Sequence, residues 1–193
     1  MDFLSAAYWE KRYQQQQTGW DIGKPSTPLA TFIDGIENKD DSILIPGCGN
    51  SYEAEYIVQQ GFTNLTVIDI APSPVERLKE KIDGKARVLL EDFFQHKGSY
   101  DFILEQTFFC ALDPLLRPAY VKKMSELLKN KGKLVGVLFN KQFETNPPFG
   151  GSKKKYEELF SKHLQLLKME ECYNSIAPRE GTELFFIATK KHP

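Results

Sequence analysis

Gly47 and Gly49, in the run Pro46-Gly47-Cys48-Gly49, and Asp69, which closes Leu65-Thr66-Val67-Ile68-Asp69, are the residues whose types and spacing point first to chemistry. Glycines at a strand-to-helix turn let the backbone bend sharply and approach a ligand with no Cβ in the way. A carboxylate at the tip of the following strand accepts hydrogen bonds from ribose hydroxyls. Together they describe a nucleoside site, with an ordinary βα turn as the competing reading of the bare pattern. Tyr52 stands where a third glycine would bring a pyrophosphate to the helix tip, so a nucleoside without phosphates fits better than a dinucleotide.

Other residues extend that site. Asp92 and Phe93 at the end of a third strand could hold a purine, the acid accepting from an exocyclic amine and the ring covering a face. Glu105 and Gln106 end a fourth strand, on the side where open parallel sheets bind ligands. Trp9, Tyr13 and Trp20 in a polar N-terminal stretch suit a lid over a cationic ligand, with core packing as the plainer alternative. Arg117 and Arg179 are cations that could clamp an anionic substrate, although either could equally be a surface arginine. His96, His163 and His192 fall in polar stretches read as exposed and non-catalytic. No Cys–His or Ser–His pairing suggests a nucleophile, and the spacing suggests no metal site. Asn146-Pro147-Pro148-Phe149 matches a tetrapeptide of amino-methylating enzymes, but it follows the fifth strand rather than the fourth, which favours a substrate-pocket loop.

The elements that must position these groups are legible as periodicities. Helices are expected over Phe3 to Gln17, Pro25 to Ile36, Tyr52 to Gln60, Val75 to Ile82, Leu115 to Lys129 and Ser152 to Ser161. In the first, Leu4, Ala7, Tyr8 and the Lys11 stem form the apolar side. Strands are expected over Ile43 to Ile45, Leu65 to Ile70, Ala86 to Glu91, Tyr100 to Gln106, Lys133 to Phe139, Leu164 to Cys172 and Leu184 to Lys190. That order is a series of βα units closed by a strand pair, undivided by linkers or repeats. Asn140 to Gly151, rich in proline and glycine, is a loop of a length usually kept for function.

The composition sets the frame. A chain of 193 residues is one domain with a real core. Lys+Arg 25 against Asp+Glu 26 gives a net charge of -1, which supplies no basic field for nucleic acid or an anionic membrane. Three scattered cysteines suggest neither disulfides nor a zinc cluster, and a cytoplasmic protein is the expectation. No apolar run approaches the ~18 residues of a membrane span, and the start lacks the pattern of a secretory signal.

Several blocks together resemble a known family. Trp-Glu-Lys-Arg-Tyr (9–13), Gly-Trp-Asp-Ile-Gly-Lys-Pro-Ser-Thr-Pro-Leu (19–29), Ile-Pro-Gly-Cys-Gly-Asn (45–50), Asp-Phe-Ile-Leu-Glu-Gln-Thr-Phe-Phe-Cys-Ala-Leu (101–112) and Leu-Arg-Pro-Ala-Tyr (116–120) are similar to the thiopurine S-methyltransferase superfamily, closest to its halide and thiol methyltransferases. The likeness runs in order from about Trp9 to Lys190. It implies a single Rossmann-like α/β domain over 1–193. Its seven-stranded sheet would be mostly parallel, with the last strand antiparallel and helices on both faces. Residues 1–40 would form an N-terminal helical cap.

The likeness also implies S-adenosylmethionine as cofactor, S-adenosylhomocysteine as product and a small-molecule nucleophile as the only partner, in a monomer or weak dimer. Carried over by position, Trp9, Tyr13 and Trp20 would cover the cofactor, Gly47 would lie against its methionine part, and Cys48 and Gly49 would belong to the same cofactor site. Asp69 would bind the ribose and Asp92 and Phe93 the adenine, with Ile70 also in the cofactor site. Gln106 would sit beside the transferred methyl, and Glu105 would belong to the cofactor site. Trp20, Gln106, Phe109, Arg117 and Arg179 would form the acceptor pocket, with Phe108-Phe109 as a dry wall. The reaction implied is in-line displacement by a thiol, thiopurine-like, halide or hydrosulfide nucleophile. Amino methylation through Asn146 to Phe149 and a binding module without turnover are the alternatives. Two residues depart from the family: Tyr13 replaces a frequent Trp, and Gln106 replaces Tyr or Arg.

Overall fold

The computed structural model describes residues 3–191. Alternating apolar residues build a seven-stranded sheet that is buried on both faces. Its elements in chain order are α1 (Ala6–Gln14), α2 (Thr27–Asp34), β1 (Ile43–Pro46), α3 (Tyr52–Gln59), β2 (Leu65–Asp69), α4 (Pro72–Ile82), β3 (Arg87–Leu90), β4 (Tyr100–Gln106), α5 (Phe108–Ala111), α6 (Arg117–Leu127), β5 (Leu128–Phe139), α7 (Lys153–Phe160), β6 (Leu164–Glu171) and β7 (Glu183–Lys190). Single 3₁₀ turns lie at Pro114–Leu116 and Ala177–Arg179. The strand order is β3-β2-β1-β4-β5-β7-β6. β1 to β5 pair in parallel and β7 runs antiparallel to both its neighbours. The mixed sheet with an antiparallel last strand is therefore as expected.

Strand residues alternate between two cores, because successive side chains in a strand point to opposite faces. Ile43, Ile45, Val67, Leu104 and Val135 pack under α2, α3 and α4. Leu44, Ile68, Ile103, Leu134 and Phe186 pack under the side that carries α5, α6 and α7. Each helix docks a short apolar face: Leu29 and Ile33 of α2, Val75, Leu78 and Ile82 of α4, and Tyr156 and Phe160 of α7 are all buried. Lys153 to Lys155 point to solvent.

The order β2-β1-β4 places the reversal of strand direction of travel between β1 and β4. Ligands of open α/β sheets bind outside the carboxyl ends of the strands at such a point. The turns after β1, β2, β3 and β4 all reach that end.

Several boundaries differ from the sequence expectation. The first helix stops at Gln14, and its docked residue is Tyr13, while Ala7 and Lys11 are exposed. The reason is that α1 packs on α4 through a polar contact: the Ser73 N–H donates to Glu10 Oε2 at 2.9 Å, and the Ser73 hydroxyl donates to Glu10 Oε1. β5 begins at Leu128, five residues early, because Leu128 pairs with Tyr100 across a bulge before the main register starts at Lys133.

Candidate active site

The first strand ends where Gly47 adopts φ +57, and a Cβ added there would lie 2.1 Å from the Phe108 ring. Any side chain at this position would therefore collide with Phe108, which packs directly on the turn. Asp69 stands at the tip of the adjacent strand, buried at 6% exposure. Its Oδ2 accepts from the Gly49 N–H at 2.9 Å and its Oδ1 from the Ala71 N–H at 2.8 Å. Each oxygen keeps a further acceptor site. Burial pushes this carboxyl above its ordinary value, against the pull of those backbone donors.

These groups border one cavity of about 740 Å³. The lid closes one side of it. Trp20 meets Trp9 and Tyr13 edge-on at centroid distances of 5.6 and 5.7 Å, and the Arg12 guanidinium lies over the Trp20 ring at 5.2 Å. Polar contacts fix the lid to the body. Arg179 Nη2 donates to the Trp20 carbonyl at 2.9 Å, the Tyr52 hydroxyl donates to Asp21 Oδ2 at 3.2 Å, and Asn50 donates to the same oxygen.

The opposite wall comes from the turn after β4. Thr107 takes a left-handed conformation at φ +61, and its hydroxyl donates back to the Gln106 carbonyl at 2.7 Å. Gln106, Phe108, Cys110 and Leu112 line the cavity. Lys141, Phe143, Pro147 and Pro148 of the loop after β5 complete the wall.

The profile of the thiopurine S-methyltransferase (TPMT) family matches residues 4–190. The chain belongs to the thiopurine S-methyltransferase family. It is 29% identical over 188 residues to a probable thiol methyltransferase 2 of Arabidopsis thaliana, covering 93% of this chain and 83% of that one. It is also 29% identical to a thiocyanate methyltransferase 1 of Brassica oleracea, over 91% of this chain and 81% of the relative. Solved methyltransferase structures share the fold. The 1,6-didemethyltoxoflavin-N1-methyltransferase of Burkholderia thailandensis, with bound 1,6-didemethyltoxoflavin and S-adenosylhomocysteine, superposes with a TM-score of 0.77 at 16% identity, over 97% of this chain and 87% of that one. A TehB-like methyltransferase from Corynebacterium glutamicum gives 0.71 at 19% identity, over 96% and 98%.

In this family member the cavity gathers most of the residues singled out from sequence. Trp9, Tyr13, Trp20, Gly47, Cys48, Gly49, Asp69, Ile70, Asp92, Phe93, Gln106 and Arg179 all border it. Phe93 does so while only 4% exposed, packed against Phe94, Phe108 and Tyr120. Ile70, 39% exposed, offers the cavity more apolar surface.

Three expected site residues lie elsewhere. Phe109 is fully buried against Tyr120, Tyr156 and Phe160, so the dry wall is Phe108 alone. Arg117 points away from the cavity. Its Nη1 donates to the Gly150 carbonyl at 3.1 Å, its Nη2 donates to the Phe149 carbonyl at 2.9 Å, and its guanidinium lies over the Phe109 ring. It holds the loop that forms the wall and does not border the cavity.

Glu105 is the third. Alternation along β4 sends it into the core, where Oε1 accepts from the Phe109 N–H at 2.9 Å and Oε2 lies 2.6 Å from the Tyr120 hydroxyl. Gly136 sits beside it in the register, and a Cβ there would come within 2.5 Å of Glu105 Cβ. Burial pushes the Glu105 carboxyl up to about 7. A raised acid costs stability as pH climbs from the ordinary carboxyl value to the folded one, and the cost is constant above it. The Glu105→Gln protein keeps both contacts without the charge. Chemical denaturation of wild type should lose on the order of 3 kcal/mol relative to the variant between about pH 4.5 and 7. Parallel pH profiles for the two proteins would contradict this.

Histidine assignments also change. His96 is 2% exposed, with Nδ1 2.9 Å from Glu91 Oε2 and Nε2 2.8 Å from the Tyr100 hydroxyl. It braces the loop that carries Asp92. His163 is exposed, as expected, and His192 lies outside the described residues. Asn146 is exposed and does not border the cavity, although Pro147 and Pro148 do. Sequence reasoning did not single out Asp21, Asn50, Glu10 or Ser73 as lid contacts. Asp21, Glu10 and Asn50 had a signal, since each lies inside one of the quoted blocks, whereas Ser73 had none.

Proposed function

We propose that the cavity binds S-adenosylmethionine and that the enzyme transfers its methyl group to a small nucleophile, a thiol or a related sulfur or halide species. The single observation that carries this reading is the joining, in one cavity, of an aromatic lid with the glycine turn and the Asp69 carboxylate. Three features of the chain fit the cofactor. Gly47 lets the Phe108 ring close directly onto the turn that borders the cavity, the Asp69 oxygens retain acceptor capacity for ribose hydroxyls, and Asp92 with Ile70 and Phe93 offers a purine an acceptor and apolar contact. The acidic residues bordering the cavity (Asp21, Glu53, Asp69, Glu91, Asp92 and Asp113) outnumber Arg12, Lys24, Lys141 and Arg179. That balance favours a cationic ligand.

When bound, the cofactor supplies an electrophilic methyl on a positively charged sulfur. The chain's contribution is alignment and exclusion of water. Trp9, Tyr13 and Trp20 present ring faces and edges that shield the cation from solvent. Phe108, Leu112 and Phe143 keep the acceptor side dry. No side chain bordering the cavity need act as a strong base for an acceptor that is already ionised.

The test is incubation of the purified chain with methyl-labelled cofactor and a panel of thiols, iodide, hydrosulfide, a thiopurine and nucleic acid. Label on a sulfur or halide acceptor supports the reading, and label on a nitrogen acceptor alone overturns it. A Trp20→Ala protein removes the centre of the lid cluster. Its affinity for S-adenosylmethionine should fall by about tenfold or more, the worth of a desolvated cation–π contact. Unchanged affinity by calorimetry would show that the lid is only packing.

A further inference from the structure

Resting on that reading, we propose that His96 is the positioning residue of the purine subsite: it touches no ligand, and it holds the Asp92 carboxylate toward the exocyclic amine of the cofactor's adenine. His96 does not border the cavity and is 2% exposed, so whatever it does for the ligand it does through its neighbours.

The first observation is the turn that Asp92 opens. Asp92 Oδ1 accepts from the Phe94 N–H at 2.9 Å, and the Asp92 carbonyl accepts from the N–H groups of Gln95 and His96 at 2.9 and 3.1 Å. A short acidic side chain bonded to the backbone two residues on fixes a turn and its own direction together. Among the described residues nothing donates to Oδ2, which is accessible at a residue bordering the cavity. The carboxylate is thus fixed at one oxygen and open at the other.

The second observation is what holds the far end of that turn. His96 Nδ1 lies 2.9 Å from Glu91 Oε2, and Nε2 lies 2.8 Å from the Tyr100 hydroxyl. A carboxylate only accepts, so Nδ1–H donates to Glu91, and in the neutral ring Nε2 accepts from Tyr100. Lys123 Nζ donates to the His96 carbonyl at 2.9 Å. These contacts tie a short loop to β4, to α6 and to the residue that follows β3. The Glu91 N–H in turn donates to the Asp69 carbonyl at 2.9 Å. His96 therefore joins the turn that would face the purine to the strand end that carries the ribose acid.

The third observation is the pair of neighbouring acids. Glu91 and Asp92 both border the cavity, and a purine amine could turn to either. The His96 ring anchors Glu91, whose side chain is 31% exposed, and Asp92 keeps its accessible oxygen for the ligand. An acceptor-only group favours an amine at that point and opposes a carbonyl oxygen.

The experiment measures, by calorimetry on the full chain, affinities for S-adenosylhomocysteine and for S-inosylhomocysteine, in which a carbonyl oxygen replaces the amine. Wild type should prefer the amino ligand by about tenfold or more, the worth of one hydrogen bond to a charged acceptor. His96→Asn keeps a donor where Nδ1 stands and should retain that preference. His96→Gln reaches instead toward Tyr100, releases Glu91, and should cut the preference to about threefold or less. Glu91→Ala, at a partly exposed position, should do the same and supplies the comparison if His96→Gln does not fold. A histidine that only supported the fold would weaken both ligands equally and leave the ratio intact. An unchanged ratio in the folded variants, or a ratio lost equally in His96→Asn and His96→Gln, overturns the proposal. Equal wild-type affinities for the two ligands overturn it too and leave the cofactor reading standing. Binding of neither ligand removes that reading, and this proposal with it.

Discussion

An Asp69→Ala protein should bind S-adenosylhomocysteine about 100-fold more weakly than wild type, and this is the largest effect on ligand binding that the site implies. Hydrogen bonds to a charged group contribute about 1.5–3 kcal/mol each, and a ribose offers two hydroxyls to the carboxylate. The loss has a second component. Asp69 also receives the Gly49 and Ala71 N–H groups, so truncation frees the glycine turn and the entry to α4 together. The Asp69→Asn protein separates the two effects. Its amide oxygen still accepts from one backbone N–H, so the turn survives in part, but the charge offered to the ribose is gone. Calorimetric titration should rank wild type above Asp69→Asn and Asp69→Ala below both. Equal affinities in folded proteins would remove the carboxylate from the site.

The second large effect falls on stability. Phe109→Ala should destabilise the protein by about 3–5 kcal/mol, the usual cost of deleting a fully buried aromatic ring. Against a total stability of about 5–15 kcal/mol for a domain, that is enough to lower the melting temperature sharply. Phe109 is 0% exposed, with the rings of Tyr120, Tyr156 and Phe160 at 5.0, 5.6 and 5.9 Å. A pocket residue would behave differently, since its truncation would raise an acceptor KM in a protein of ordinary stability. Urea denaturation and acceptor kinetics on one preparation decide between the two roles.

The contrast between Phe108 and Phe109 shows where sequence reading stopped. Apolar runs in β1, β2 and β4 and the glycine turn specified the sheet and its ligand-binding end, because their periods report burial directly. Gly47, Asp69, Asp92 and Gln106 followed, since strand-end positions map onto one edge of a parallel sheet. The turn after β4 was harder to read. Its direction depends on Thr107 adopting a left-handed conformation, for which threonine carries no sequence signal. That one residue decides that Phe108 faces the cavity while Phe109 faces the core.

Arg117 and His96 were misread for a related reason. The partners of Arg117 are backbone carbonyls of Phe149 and Gly150, and backbone groups leave no trace in side-chain identity. His96 sits in a polar stretch, yet Glu91 and Tyr100 fold over it and satisfy both ring nitrogens. Polar neighbours in sequence became its partners in space and made burial affordable.

The lid behaved in the opposite way. Trp9, Tyr13 and Trp20 stood out by residue type, and the structure brings their rings together above the glycine turn. The contacts that dock them, from Glu10 to Ser73 and from Arg179 to the Trp20 carbonyl, join distant parts of the chain and could not be paired in advance.

Isothermal titration of the purified chain with S-adenosylhomocysteine tests the whole account most directly. Saturable one-to-one binding in the micromolar range, weakened about 100-fold in Asp69→Ala, is the predicted result. A flat titration at millimolar ligand with a folded chain would contradict it, and would leave a methyltransferase sheet whose cavity serves another molecule.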